Sequence, residues 1–355
     1  MTPALVLGPL LLAALGPQAP AAPGGVLAVF PTQNRVGDLA AAAAVDEALR
    51  RELGRFGRLV GAEDTRDALR RLRLRNSEGA PATVLRRLGR ELGASWLVTA
   101  TLHDADRRDV ACLTVSARVY TGETGGLAWA GFRGESGLDR RKLLGRGTIA
   151  TLEALAPLVV RDLLETLPEG PDAGRGIGTS GARLGPAPLG NVAVVPFTGS
   201  TSLQATQNAE TVTEAVRARL FADGARLVSP NELGQILRNL QAGRWGGVTG
   251  EARAALQETA AADTIVTGAV EAYDTAGSDL EPDPQVTVAL RLLDARTGRI
   301  LWSGSEEREG GGRSLFGRGR IHSRGALAVR VAESLTRRLY QDVASPTAQN
   351  RGRER

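Results

Sequence analysis

The 355-residue sequence has one cysteine, two histidines and few aromatic residues (4%). Each scarcity excludes something. Cys112 has no intrachain disulfide partner, and its setting in "VACLTVSARVY" (Val110–Tyr120) reads as a strand holding a buried, inert thiol. Structural zinc needs several Cys or His at short spacing, whereas His103 and His322 stand far apart, so no metal site is expected. No residue pattern asks for a cofactor. All but one of the 44 basic residues are arginine; Lys142 is the exception. With so much Ala and Gly, this bias reads as the mark of a GC-rich genome. Dense basic runs with interleaved aromatics are missing, so nucleic acid is not expected as a partner. The net charge of +5 still leaves room for an anionic partner or surface.

Long apolar runs are missing too. The N-terminal stretch from Ala4 to Leu15 is too short to span a bilayer, and no later segment does better, so no integral membrane segment is expected. The first 22 residues read as a signal peptide, with Ala19-Pro20-Ala21 fitting an A-x-A cleavage pattern. A disordered Ala/Pro leader behind a misplaced start is the other reading. No cysteine near the cleavage point offers a lipid anchor. The expected location is therefore periplasmic or exported, with outer-membrane association, where it occurs, peripheral.

What is present is a repeat. "LAVFP" (Leu27–Pro31) matches "VAVVP" (Val192–Pro196), and "GRLVGAEDTRDALRRL" (Gly57–Leu72) matches "ARLVSPNELGQILRNL" (Ala225–Leu240). "SWLVTATL" (Ser95–Leu102) matches "DTIVTGAV" (Asp263–Val270), and Trp129 falls on Trp302. The order is kept with small insertions. Residues 25–167 and 191–343 are thus expected to be two domains of like topology, joined by a Pro/Gly-rich linker at 168–190 and followed by a disordered tail at 344–355.

Each copy begins with an apolar strand and a helix, whose i, i+4 stripe is Val45, Leu49, Leu53 in one copy and Val212, Val216, Leu220 in the other. A short strand and a second helix follow, with Asp64 and Asn231 near its start as acceptors for free first-turn amides. A third helix (Leu85, Leu88, Leu92; Ala255, Leu256, Thr259) leads into an antiparallel meander. There Val286, Val288, Leu290 and Leu292 alternate with polar or small residues, and Gly298, like Gly125, supplies a positive φ for the turn. The closing helix carries Leu155, Val159, Leu163 and Leu167, matched by Leu327, Val331, Leu335 and Leu339. The fold class is α/β (α+β): two tandem three-layer-like domains, each a mixed sheet with an antiparallel meander packed by helices.

Candidate chemistry is sparse. "GIGTSG" (Gly176–Gly181) follows no strand and opens no helix, so it reads as linker rather than a phosphate cradle. The "GRG" motifs at Gly145–Gly147 and Gly317–Gly319 recur before the last helix of each copy. Backbone amides with Arg146, Gly147, Arg318, Gly319 and Arg320 could hold an anion or a partner there; a flexible lead-in to the helix is the other reading. His322 in "GRGRIHSRG" reads as a surface histidine. His103 and Asp104, as strand neighbours, should point to opposite faces and not cooperate. Glu306, Glu307 and Glu309 read as a solvated loop, and Trp129 and Trp302 as core. No nucleophile elbow or other catalytic pattern is found, so no catalytic residue is expected and the chain is not expected to be an enzyme.

The stretches "NVAVVPF", "ARLVSPNELGQILRNL", "AADTIVTGAVEAYD" and "VTVALRLLDARTGRILWSGS" resemble the CsgG family of curli-export proteins. They are also similar to the related N-terminal domain of TolB and to periplasmic activators of penicillin-binding proteins. The resemblance spans nearly all of the second copy and, more weakly, the first. It implies a domain outside the cytoplasm that works by binding and assembly, with an envelope protein or further copies of itself as partner. Curli exporters carry an N-terminal lipid-anchor cysteine and long membrane-inserting hairpins. This chain lacks the first, and "EEREGGGRSLFGRGRIHSR" (Glu306–Arg324) lacks the alternation of a lipid-facing strand, so pore formation is not expected. An assembly or secretion adaptor is the function expected, with anion or nucleotide binding by the GRG loops as the alternative and, if the leader is no signal, a basic nucleic-acid binder as a third.

Overall fold

The computed structural model describes residues 25–167 and 189–344, except 76, 78, 108–109, 141–146, 201, 241–247, 279–280 and 312–319. The leader, most of the linker, "GIGTSG", the tail beyond Ala344, and Arg146, Arg318 and Gly319 lie outside them.

The chain forms two mixed sheets of the same connectivity. In the first half, β1 (Val26–Val29), β2 (Gln33–Asn34), α1 (Leu39–Leu53), β3 (Arg58–Leu59), α2 (Ala62–Arg71) and α3 (Ala82–Leu92) precede the meander β4 (Trp96–Asp106), β5 (Cys112–Thr121) and β6 (Leu127–Ser136), which α4 (Leu152–Leu164) closes. The second half repeats this with β7 (Asn191–Val194), α5 (Leu203–Ala222), β8 (Arg226–Leu227), α6 (Pro230–Asn239), α7 (Gly250–Ala260), β9 (Thr264–Ser278), β10 (Glu281–Asp294), β11 (Ile300–Glu309) and α8 (Arg324–Ala344). The sheet orders are β3-β1-β4-β5-β6, with β2 beside β4, and β8-β7-β9-β10-β11. The first three strands of each order run parallel and the meander antiparallel.

Periodicity explains the layers. The stripes Val45/Leu49/Leu53 and Leu155/Val159/Leu163 are buried with Val98, Leu113, Val115 and Trp129 in one core, and their counterparts on α5 and α8 bury Val286, Val288, Leu290 and Trp302 in another. On the opposite sheet faces, smaller cores lie under α2/α3 and α6/α7 at the parallel ends. Each half therefore has three layers at its parallel end. Gly125 and Gly298 turn the meanders with φ of +70° and +73°, a region open to glycine at no steric cost.

Three local expectations need correction. The second helices start at Ala62 and Pro230 after Gly61 and Ser229, so Asp64 and Asn231 fall inside the first turn and do not cap it. Glu306, Glu307 and Glu309 do not form a loop. They extend β11, because β10 runs on far enough to pair with them through Val288, Thr287 and Gln285. On α7 Ala252 and Leu256 are buried, Ala255 and Ala260 pack partly against the same core, and Thr259 is exposed.

Candidate functional site

The feature that gathers the polar residues is the joint between the halves. On the face of the first sheet turned away from α1 and α4, Thr99 and Thr101 of β4, Thr114, Ser116 and Arg118 of β5, and Ala130 of β6 are all buried. A row of threonine, serine and arginine on alternate strand positions would ordinarily meet water. Here α5 and α8 of the second half cover it. The two helices thus lie between the two sheets, with apolar stripes toward their own sheet and polar residues toward the other.

Buried polar groups need partners, and the joint supplies them. Glu214 of α5 is paired with Arg118 and with Arg217, one turn on. Arg217 also donates to the carbonyl of Val194 at 2.9 Å. Burial alone would raise the carboxyl pKa of Glu214, but the Arg118 and Arg217 guanidiniums outweigh it and hold that pKa well below the usual range. Burial lowers the pKa of Arg217, with Glu214 opposing. Arg35, after β2, pairs with Glu210, and the side chain of Gln207 donates to the Arg35 carbonyl at 3.4 Å.

His103 and Asp104 both engage the second half, contrary to the alternation expected of strand neighbours. The register shifts between Leu102 and Asp104, so His103 is the extra residue of a β-bulge, and a bulge re-aims side chains. His103 Nε2 lies 2.8 Å from Ser116 Oγ and Nδ1 lies 3.4 Å from Thr211 Oγ1 of α5. Its ring meets Phe132, with centroids 5.7 Å apart. Burial pushes the His103 pKa down to about 3, with Glu214 opposing. Arg324, at the start of α8, donates to Asp104 at 2.8 Å and lies over the Tyr273 ring at 5.3 Å.

His322 is also corrected: it is 9% exposed, and it is not a surface residue. Its Nδ1 lies 3.0 Å from Asp139 Oδ1 of the first half, and its backbone N–H donates to the same oxygen at 3.1 Å. The partner is 183 positions away in the chain, which no local pattern could supply. Close backbone approach completes the joint: Gly325 packs on Gly134 and on Thr114.

The GRG loops are described only in part. Gly147 is exposed with φ of +85°, five residues before α4. Arg320 is half-buried four residues before α8. The first turns of both helices are already occupied, since Thr151 accepts from the Ala154 N–H and Ser323 from the Ala326 N–H. Trp129 and Trp302 are buried, their indole N–H groups directed to Thr166 and Asp342. Cys112 is half-buried with its thiol pushed up to about 11 by burial, a poor nucleophile at neutral pH. Among the described residues no cluster of His, Cys, Asp and Glu suits a metal ion, and no helix is long and apolar enough to cross a membrane.

The second sheet carries the same polar face, but open. Pairing places Arg118 between Thr99 and Ala130, and Arg291 between Thr267 and Ser303. Arg291, Ser303 and Ser305 are exposed, while Thr267, Thr287 and Ala289 are half-buried. A cavity of about 280 Å³ opens beside the joint, where Arg118, Glu214 and Arg217 meet Asn231 and Arg238 of α6.

No family model matches the chain, and no curated protein matches it. Solved structures to which it is similar include the lipoprotein GNA1162 from Neisseria meningitidis (18% identity over 43% of this chain and 99% of that one, TM-score 0.31). Others are the PelC dodecamer from Paraburkholderia phytofirmans (22%, 46% and 94%, TM-score 0.27) and the LpoB C-terminal domain from Salmonella enterica (18%, 35% and 84%, TM-score 0.24).

Proposed function

We propose that this chain is a non-enzymatic, exported adaptor of a bacterial envelope that works by binding another protein. The observation that carries this reading is the open face of the second sheet. Thr267, Thr287, Ala289, Arg291 and Ser303 stand where Thr99, Thr114, Ser116, Arg118 and Ala130 stand in the first sheet. That first face is covered by a helix pair offering a carboxylate, so the chain carries its own template for what such a face accepts. A partner presenting a helical surface with an acidic residue against Arg291 would repeat the arrangement. The sequence resemblance to envelope-assembly proteins supports the same reading, and the titratable groups of the joint are engaged in pairing rather than poised for proton transfer.

A second copy of the chain is a poor occupant. Its α1 offers Glu47 where α5 has Glu214, which favours pairing with Arg291. But the same geometry sets Glu153 against Glu307 where the joint has Gly325 against Gly134, and two carboxylates would meet at the closest approach. The occupant is therefore a different protein. Anion binding by the GRG loops has less support, because the adjoining helix turns are already capped by Thr151 and Ser323.

Cell fractionation with the R291E variant tests the proposal. The chain should be found outside the cytoplasm, and R291E should lose a co-purifying envelope protein while keeping the wild-type circular dichroism and melting temperature. Association that survives R291E, or a cytoplasmic chain, would count against it.

A further inference from the structure

The open face of the second sheet is polarised. Both meanders carry a β-bulge at the same place: His103 is the extra residue between Leu102 and Asp104, and Glu271 is the extra residue between Val270 and Ala272. An irregularity kept in two copies whose sequences differ around it is a built feature, and a bulge re-aims the side chain it carries. In the first sheet that side chain is an imidazole meeting Thr211 of α5. In the second sheet the same place holds a carboxylate. A further carboxylate, Glu307, stands opposite Thr287, where the first sheet has Gly134 opposite Thr114. Arg291, Glu271 and Glu307 are all exposed, with the guanidinium toward one end of the face and the carboxylates toward the other.

The covered face of the first sheet has the same polarity and shows how helices meet it. At the guanidinium end, Glu214 of α5 pairs with Arg118. At the bulge end, Arg324, the first residue of α8, donates to Asp104 at 2.8 Å. Thr211, the residue over the bulge, lies three positions before Glu214 on α5, a spacing that puts both on one side of the helix. Gly325, next to Arg324, packs on Gly134. The places of Thr211 and Arg324 are therefore those that would face Glu271 and Glu307 if a similar helix pair lay on the second sheet. Two carboxylates against one guanidinium also set this face against a polyanion such as nucleic acid.

Resting on the adaptor reading, we infer that the partner lays two helices on this face, one carrying an acidic residue with a basic residue three positions before it, the other beginning with a basic residue. The acid meets Arg291, the base before it meets Glu271, and the base at the helix start meets Glu307. Opposite charges at the two ends admit one orientation of the partner and repel the reverse. Within an isolated helix an acid ahead of a base is the better order, so base ahead of acid serves the interface and not the partner's own helix.

The test is photocrosslinking of the full chain in cells from a photoreactive side chain at Ser303, beside Arg291, with the partner's crosslinked peptide sequenced by mass spectrometry. That peptide should carry Lys or Arg three positions before Asp or Glu. E271R and E307R should each lower the yield about tenfold or more, as R291E does, because each sets like charges together. E271Q, which removes an attraction without adding a repulsion, should lower it less than E271R. E258R, on the exposed side of α7, should leave it unchanged. All of these positions are exposed, so each variant should keep the wild-type melting temperature. The inference is overturned if E271R and E307R crosslink as the wild type does while R291E does not, an outcome that leaves the adaptor reading standing. A mapped segment without the base-then-acid pair overturns it equally. A yield that R291E leaves unchanged removes the adaptor reading itself, and this inference with it.

Discussion

Replacing Glu214 by Gln removes the carboxylate that Arg118 and Arg217 share in the joint. Both guanidiniums are nearly inaccessible, at 6% side-chain exposure. Removing one member of a buried ion pair costs about 3–5 kcal/mol, mostly because the other charge is left uncompensated. Loss of a carboxylate shared by two guanidiniums places E214Q within that range. Domains typically have about 5–15 kcal/mol in total, so a large fraction of the stability is at stake. The assay is urea unfolding of the full chain followed by far-UV circular dichroism and tryptophan fluorescence. Trp96 and Trp129 report on the first half and Trp302 on the second. The wild type should unfold in one transition, because separating the halves exposes the whole polar face. E214Q should unfold at lower urea, with the two halves resolved. The double variant R118M/E214Q should recover more than half of the loss, since the remaining Arg217 keeps its bond to the Val194 carbonyl. A loss under about 1 kcal/mol, or no recovery in the double variant, would refute the reasoning that this cluster holds the joint.

Two further outcomes follow from the same contacts. His103 is held neutral in the folded chain, its pKa lowered to about 3, whereas in the unfolded chain it protonates near 6.5. The unfolded state therefore binds the extra proton, and stability falls as pH drops from about 6.5 toward 3. The loss reaches about 2 kcal/mol by pH 5, and H103Q should lack that part of the pH dependence in urea titrations at pH 7.5 and 5. A Cβ on Gly325 would run into Thr114, with Cγ2 only 2.7 Å away. Gly325→Ala should thus lower stability by roughly 1–3 kcal/mol, against a few tenths for an ordinary exposed site near a helix start, and a melting curve checks it.

Much of this fold could be read from the chain. Periods of two and of nearly four marked the strands and the helices, and agreement between two copies sharpened both. The closing stripes Leu155/Val159/Leu163 and Leu327/Val331/Leu335 are all buried, as spaced. The joint was not legible. Thr114, Ser116 and Arg118 alternate with Val115, Ala117 and Val119 as a half-solvated strand should, and only the docking of α5 and α8 buries them. His322 failed for a related reason, its acceptor lying in the other half. His103 and Asp104 failed because a bulge breaks alternation without a sequence mark; neither flanking residue is glycine. The one local signal that could have been found was Asn231. A Ser-Pro-Asn start places proline at the first helical position, which moves the asparagine into the turn and frees its side chain.

The open face of the second sheet is proposed to bind a partner as the first sheet's face binds α5 and α8. Site-specific photocrosslinking tests it most directly. A photoreactive side chain is placed at Ala289 or Ser303 on that face, or at the exposed Glu258 of α7 as a control, in cells making the full chain. The claim predicts a discrete crosslinked envelope protein from positions 289 and 303, absent at 258 and lost when R291E is combined with either probe. Equal crosslinking from all three positions, or products unaffected by R291E, would contradict it.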